Sequence, residues 1–307
     1  METMTGMQCF VRSAEAGSFS EAARRLGMTS AAVGKNVARL EAGLGVRLFQ
    51  RSTRSLTLTE AGESFLHEVK DSLLTIHAAV ENLASAGGQP AGMLKVSMGT
   101  GFGRAYMVPL LAPFLAQYPG ISPDWHFDNR QVDLIAQGFD AALGGGFELP
   151  PGVVARVLAP AHRVLVAAPD YFQDRKAPQS PEDLDAFDGI FIRSPQTGRV
   201  RSWPLRNRAN RQAPVTLRTR MTMSDPEAAC ESAQMGLGIA LVSVPNALPF
   251  LRAKSLVRVL PDWYVDGGSL SLYFAAQKLL PAKTRVFVDY VVEHFRQERL
   301  ADQFSAI

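Results

Sequence analysis

The segment Ser18–Gly62, SFSEAARRLGMTSAAVGKNVARLEAGLGVRLFQRSTRSLTLTEAG, limits the fold of this chain more than any other. Ser18 followed by Glu21 has the spacing of a capping box, in which hydroxyl and carboxylate each satisfy a free helix-end amide. Ala22, Ala23 and Leu26 give a short helix one small apolar face, and Gly27 supplies the left-handed residue that ends it. Thr29 or Ser30 caps the next helix, where Val33, Val37 and Leu40 recur at steps of four and three. Two helices joined by a short turn with a glycine are the pattern of a helix-turn-helix, although a generic pair of packed helices has the same spacing. Ser30, Lys35, Asn36 and Arg39 lie off the apolar face, where they can reach base edges or phosphates. Leu44 to Phe49 then leads into Arg51, Arg54 and the alternating Leu56-Thr57-Leu58, which reads as a two-stranded wing with arginines at its tip.

Charge separates this segment from the rest. Residues 1–60 carry eight cationic side chains against five carboxylates, which accounts for the whole net charge of +3 in a chain of 307 residues. A basic module joined to a neutral one fits phosphate binding at the N-terminal end. The length implies two or three domains, and 47% hydrophobic with 20% charged residues is ordinary globular composition. Cys9 and Cys230 lie far apart and do not form a disulfide scaffold, so a reducing cytoplasm is the expected compartment. A redox-sensing pair is the weaker reading of these thiols, and buried, idle thiols the stronger. No secretory signal and no apolar run of about 18–20 residues is visible, so no membrane partner is expected.

The run AGSFSEAARRLGMTSAAV…LEAGLGVRLFQRSTRSLTLTEAG resembles the N-terminal domain of LysR-type transcriptional regulators, densely and over some sixty residues. The fold this implies is α+β and α/β in several domains: a winged helix-turn-helix (1–60), a linker helix and hinge (61–92), and a periplasmic-binding-protein-like effector domain (93–307). The partners it implies are double-stranded DNA, a small-molecule effector, a second copy paired through the linker helix, a tetramer of such pairs, and RNA polymerase. No cofactor and no enzymatic activity are expected.

The residues beyond the motif suit this reading. Met7, Phe10, Val11 and Ala14 are spaced as an amphipathic helix beneath the helix-turn-helix. From Glu60 to about Ala86, Phe65, Val69, Ser72, Ile76, Ala79 and Leu83 alternate steps of four and three. Leu66, Leu73 and Val80 repeat every seven, which favours a coiled-coil partner over packing on its own domain. Residues 86–92 are a linker by composition. Strands then alternate with helices: 94–98, a helix at 104–117, 121–127, a helix at 131–137, 141–143, 163–168, a helix turn at 181–184, 190–192, 215–222, a helix at 226–235, 239–244, 270–275 and a helix at 281–299. That order means a parallel sheet in two subdomains, 93–162 with 266–307 and 163–265, and a ligand cleft outside the carboxyl ends of the strands.

Gly99-Thr100-Gly101-Phe102-Gly103 fails as a dinucleotide fingerprint because its third glycine falls early and no acidic residue follows at the right distance. A helix N-terminus there still attracts an anion, as does Ser224-Asp225-Pro226-Glu227, although the second spacing is better read as a structural capping box. The resemblance implies an effector site at Ser97, Thr100, Gly101, Phe102, Arg130, Gly144, Gly146, Phe147, Arg193, Thr222 and Ser224, and DNA contacts at Ser30, Ala31, Lys35, Asn36, Arg39, Arg51 and Arg54.

Two departures stand out. Where similar regulators read Asp-x-Ala-Ile-Arg-x-Gly, this chain has Asp140-Ala-Ala-Leu-Gly144-Gly-Gly, so the arginine that would grip an acidic effector is absent, with Arg130 or Arg193 as substitutes. Where they carry Gln, Ser and Arg on the reading helix, this chain has Ala31, Gly34 and Lys35. Base readout is then expected to rest on Ser30, Lys35 and Asn36, with Arg51 and Arg54 on phosphate or in the minor groove. The five histidines have no metal-ligand spacing, and neither GxSxG nor a P-loop occurs. An α/β enzyme or solute-binding domain with a DNA-binding appendage, and a DNA-binding protein without an effector, are the competing classes.

Overall fold

The computed structural model describes residues 2–51, 56–84, 89–146, 148–276 and 279–307. They form two compact units: Met1–Ala91 with Ile135–Gly138 and Ala276–Arg285, and Gly92–Leu134 with Phe139–Ala275 and Val286–Ile307.

In the first unit, α1 (Glu2–Ala16), α2 (Phe19–Leu26) and α3 (Ser30–Leu44) precede a hairpin of β1 (Phe49–Arg51) and β2 (Leu56–Leu58), followed by α4 (Glu60–Ala84). Ser18 caps α2, Thr29 caps α3, and Gly27 and Gly45 end the two helices in left-handed conformations. Only half of the expected capping box at Ser18 forms. The Ser18 hydroxyl accepts from the Glu21 amide, but the Glu21 carboxylate turns to Arg24 and Arg25, whose full charges outcompete a backbone N–H. Phe10 packs on Phe49 and Phe65, and Phe19 meets Phe49 edge-on at 5.6 Å, so one aromatic cluster ties helices to hairpin. Gly62 is required here, because a Cβ would collide with the Leu48 carbonyl.

The start of α4 differs from the heptad expectation. Phe65, Leu66, Val69 and Leu73 pack into the core of this unit, while Ile76 is exposed. The first turns of α4 serve the domain's own core because three helices and a hairpin leave an apolar face that needs a cover. The side chains of Val80 and Leu83, and residues 86–88 of the expected 86–92 linker, lie outside the described residues.

The second unit is built on an eleven-stranded mixed sheet. On one side, β3 (Gly92–Met98) pairs in parallel with β4 (Ile121–Phe127) and β5 (Ala141–Gly145). On the other, β7 (Asp188–Ile192) pairs in parallel with β10 (Arg218–Met223) and β11 (Ile239–Ser243). The sequence predicts two short strands at 163–168 and 270–275. They are instead the ends of β6 (Val153–Ala167) and β13 (Trp263–Ala275), long antiparallel partners that run from one side to the other. Periodicity misses their outer halves because β6 begins exposed and turns fully buried only toward its end. They make the sheet mixed rather than parallel. Their register shifts between Asp266 and Ser269, at Gly267 and Gly268, where the two lobes meet.

Within the second lobe, alternate residues of β6 feed opposite faces: Leu165 and Ala167 one core, Val164 and Val166 the other. Short strands β8 (Leu205–Asn207), β9 (Gln212–Ala213) and β12 (Val257–Val259) complete the sheet. Helical residues run from α5 (Thr100–Phe102) through a wide turn at Gly103–Met107 and a tight one at Val108–Leu110 into α6 (Leu111–Gln117), four residues ahead of the expected start. Pro109 lacks the amide that regular winding there would use. The lobe helices are α7 (Pro226–Gln234) and α8 (Val244–Arg252), the latter unanticipated because Pro245 and Pro249 read as breakers, while α9 (Ala282–Gln297) and α10 (Leu300–Gln303) close the chain. The helix expected at 131–137 is a turn: a segment this short cannot recover the cost of nucleation, and Gly138 at φ +68 ends it. At Pro226 the cap is Asp225, not Ser224; its carboxylate accepts from the Glu227 and Ala228 amides.

Candidate nucleic-acid interface and ligand cleft

In the first unit α3 presents one buried and one open side. Val33, Val37 and Leu40 are buried, and the steps Ala31, Lys35 and Arg39, with Ser30 beside them, are exposed. Such a four-residue step draws a shallow stripe along a helix, narrow enough to enter a major groove. Gly34 lies along this stripe, and a Cβ there would meet nothing within 4 Å. Its absence of a side chain is therefore not a packing requirement of this unit.

Asn36 is placed differently from its expected role. It is half-buried, and its Nδ2 donates to Cys9 Sγ at 3.8 Å, because α1 approaches α3 closely where Gly6 faces Asn36 and Leu40. Arg51 ends β1 opposite Leu56, at the root of the wing. Arg54 lies outside the described residues.

In the sequence Glu41 reads only as a charge. It is buried near the end of α3, and one carboxylate oxygen accepts from the Leu48 and Phe49 amides at 2.9 and 3.1 Å while the other meets Arg47 at 3.0 Å. This group fixes the wing to the end of α3. Its signal was a carboxylate in a basic segment at a helix C-terminus, where the backbone dipole disfavours negative charge.

In the second unit the expected effector residues divide. Thr100 and Gly101 sit at the carboxyl end of β3, Gly144 and Gly146 at that of β5, and Arg193, Thr222 and Ser224 at those of the adjacent β7 and β10. Ser97 is buried within β3. Phe102 turns away into an aromatic cluster with Tyr106, Phe295 and Phe304. Arg130 is exposed and held by Asp128, both of whose oxygens it engages, which keeps the Asp128 carboxyl below its ordinary range. Arg130 is thus already paired with an acid. Phe147 lies outside the described residues.

Both helix N-termini facing the cleft are satisfied from within. The Thr100 amide donates to Asn129 Oδ1 at 3.1 Å, and Asn129 Nδ2 donates across the lobes to Asp225 Oδ2 at 2.8 Å. Arg104 pairs with Glu227 at 3.4 Å, the Tyr106 hydroxyl donates to the Pro245 carbonyl at 2.8 Å, and the Gln131 amide donates to Gln196 Oε1 at 3.1 Å. These are all bonds between lobes, so they stabilise one degree of closure. Asn246, Arg163, Arg201 and Trp203 also lie in this region and carry no local signal in the sequence; Asn246 comes from α8, Arg163 from β6, and Arg201 and Trp203 from a loop without regular periodicity.

Burial raises the thiol pKa of Cys9, and that of Cys230 to about 12, so neither is poised as a thiolate. Among the described residues, no group of three His, Cys, Asp or Glu side chains is arranged to hold a metal, and no helix is long and apolar enough to cross a membrane.

Comparison with known proteins gives a consistent pattern. Residues 4–63 match the family described as "Bacterial regulatory helix-turn-helix protein, lysR family", and residues 87–296 match "LysR substrate binding domain". The chain is 30% identical over 297 residues to the probable HTH-type transcriptional regulator LtrA of Klebsiella pneumoniae, covering 95% of each. It is 30% identical to the HTH-type transcriptional activator TtdR of Escherichia coli O6:K15:H31 (strain 536 / UPEC), covering 95% of this chain and 93% of the relative. Among solved structures it is similar to full-length AphB, a virulence activator of Vibrio cholerae (TM-score 0.60, 25% identity, 94% of this chain and 98% of the other). It is also similar to CrgA, a LysR-type transcriptional regulator of Neisseria meningitidis (TM-score 0.59, 28% identity, 96% and 98%).

Proposed function

The chain belongs to the LysR family of bacterial helix-turn-helix transcriptional regulators, and on that premise we propose that the exposed stripe of α3 reads operator DNA while a small molecule between the lobes sets its activity. The observation that carries this reading is the two-sided α3: Val33, Val37 and Leu40 buried, and Ser30, Ala31, Lys35 and Arg39 left open. In this reading residues 1–60 bind DNA, 61–92 link and pair two chains, and 93–307 bind the effector. Arg51 and Arg54 of the wing meet phosphate or the minor groove. Ser97, Thr100, Gly101, Arg193, Thr222 and Ser224, with Gly144 and Gly146, border the ligand.

Pairing uses the part of α4 beyond its own core, beginning at the exposed Ile76. Two copies then present two reading helices to paired half-sites, as dimeric helix-turn-helix proteins do. Two dimers form a tetramer, and RNA polymerase meets the bound assembly in the cytoplasm, where the operator is. The ligand acts by population shift: it favours one lobe closure, with the Asn129–Asp225 and Arg104–Glu227 bonds made or broken, and so changes the spacing of the reading helices and the bend of the DNA.

The test is DNA affinity against salt for the full chain. Several Lys and Arg contacts to phosphate release counterions, so log affinity should fall linearly with log salt at a slope of about −0.9 per phosphate neutralised. Lys35→Ala should flatten discrimination between a duplex selected from a random pool and a scrambled duplex. Arg51→Ala should weaken both equally. An affinity independent of salt contradicts the reading, and uniform loss on Lys35→Ala contradicts the role given to that residue.

A further inference from the structure

Two arginines of the second unit stand over one tryptophan ring. Arg163 lies on β6 where that strand passes between the lobes, opposite Val265 of β13 and Ser243 of β11. It shares a strand face with Leu165 and Ala167, both fully buried, so its stem enters apolar surroundings. Its Nε is out of solvent and has no hydrogen-bond partner. The guanidinium stands 4.9 Å from the ring centre of Trp203, and Arg201 stands 4.0 Å from the same ring. Arg201 also reaches the other lobe, donating through Nη1 to the Gly146 carbonyl at 3.2 Å.

No carboxylate among the described residues pairs with either guanidinium, whereas Arg104 and Arg130 in the same region are each held by an acid. Burial first, and then the charge of Arg201, lower the pKa of Arg163. Taking a cation out of water without a counter-charge is destabilising, and stacking on an indole recovers only part of that cost. Two such cations on one ring repel each other as well. A stack of this kind, with an acceptor lacking, is the arrangement of a receptor for an anion.

We propose that Arg163 and Arg201, stacked on Trp203, receive a carboxylate group of a small organic anion, which makes the effector of this chain an acid despite Gly144. The proposal rests on the ligand-dependent reading above and names the chemistry of that ligand. The carboxylate supplies the missing acceptor for Arg163 Nε and neutralises the repulsion between the two guanidiniums. Because Arg201 holds Gly146 of the opposite lobe, an anion that draws Arg201 toward Arg163 changes the contact between lobes, and so couples binding to closure.

The experiment titrates the full chain with sodium acetate, succinate and benzoate, each against sodium chloride at equal ionic strength, following tryptophan fluorescence and thermal unfolding. At least one carboxylate should bind saturably and raise the melting temperature above the chloride control. Arg163→Gln and Arg201→Gln should each weaken that binding tenfold or more. Without ligand, Arg163→Met should melt at or above the wild-type temperature, since a half-buried cation with no carboxylate partner is replaced by an apolar side chain; a purely structural stack would make it melt lower. Arg201 is exposed, so Arg201→Gln decides the matter if the Arg163 variants do not fold. The proposal is overturned if none of the three carboxylates binds beyond chloride, if both Gln variants bind as the wild type does, or if Arg163→Met melts clearly lower. DNA binding with its salt dependence intact in that case leaves the regulator reading standing, whereas its loss in the wild type removes that reading itself.

Discussion

Gly34 offers a perturbation in which stability and DNA binding should move in opposite directions. It sits inside α3, and a Cβ added there would meet nothing within 4 Å, so Gly34→Ala introduces no clash in the free protein. Glycine in a helix interior is about 0.5–1 kcal/mol less favourable than alanine, because the unfolded chain loses more freedom on folding. The substitution should therefore stabilise the N-terminal unit by about that amount. For a domain of its size this corresponds to a rise in melting temperature of roughly 2–8 °C by calorimetry.

On DNA the added methyl projects from the open side of α3, beside Ala31 and Lys35. Forcing a methyl into a close-packed contact costs about 1–3 kcal/mol, or roughly 5- to 150-fold in affinity. Gly43 is the internal control. It is also in α3 with open space around a Cβ, but at the opposite end of the helix from Ala31. Gly43→Ala should give the stability gain without the loss in binding. Fluorescence anisotropy on a selected duplex at fixed salt measures the second quantity for both variants. A Gly34→Ala protein that is more stable and binds DNA as tightly as the wild type would refute the reasoning, since the stripe would then not lie against DNA.

Two further outcomes follow from buried groups. Glu41→Ala should leave the Leu48 and Phe49 amides without their acceptor and cost about 2–4 kcal/mol of the N-terminal unit's stability in urea denaturation; an unchanged midpoint would show that the carboxylate is not what fixes the wing. His162 is buried, its Nδ1 accepts from the Ala306 amide at 3.0 Å, and burial lowers its pKa from 6.5 despite Asp266, with Arg206 and Arg258 adding to the shift. The folded state resists protonation there, so the unfolded chain binds more protons. This contribution is full above about pH 6.5 and is lost as pH falls from there through the lowered folded value. The pH dependence of stability between those limits should therefore be shallower in His162→Ala, and an identical slope would rule His162 out as its source.

The helix-turn-helix was legible from the amino acids alone, because its signals are local. Ser18, Gly27 and Thr29 act within one turn of their own backbone, and the steps Val33, Val37 and Leu40 define a face without reference to anything distant. Much of the alternation of strands and helices after Gly92 was legible for the same reason, whereas Thr100, Gly144, Arg193 and Thr222 were named only through the family resemblance. What depends on pairing across the chain was not legible. The outer halves of β6 and β13 become strands only by lying against each other, and Asn36 turns inward only because Gly6 lets α1 come close. Glu41 gains its amides from a hairpin that begins several residues later, and its identity as a buried acceptor exists only once that hairpin folds back. Arg163 and Arg201 meet on Trp203 because β6 and a loop outside any regular element converge there, so periodicity carries no trace of the pair. Local backbone preferences set the elements of this chain; contacts between residues far apart in sequence, fixed by strand pairing and burial, decided which charges face one another.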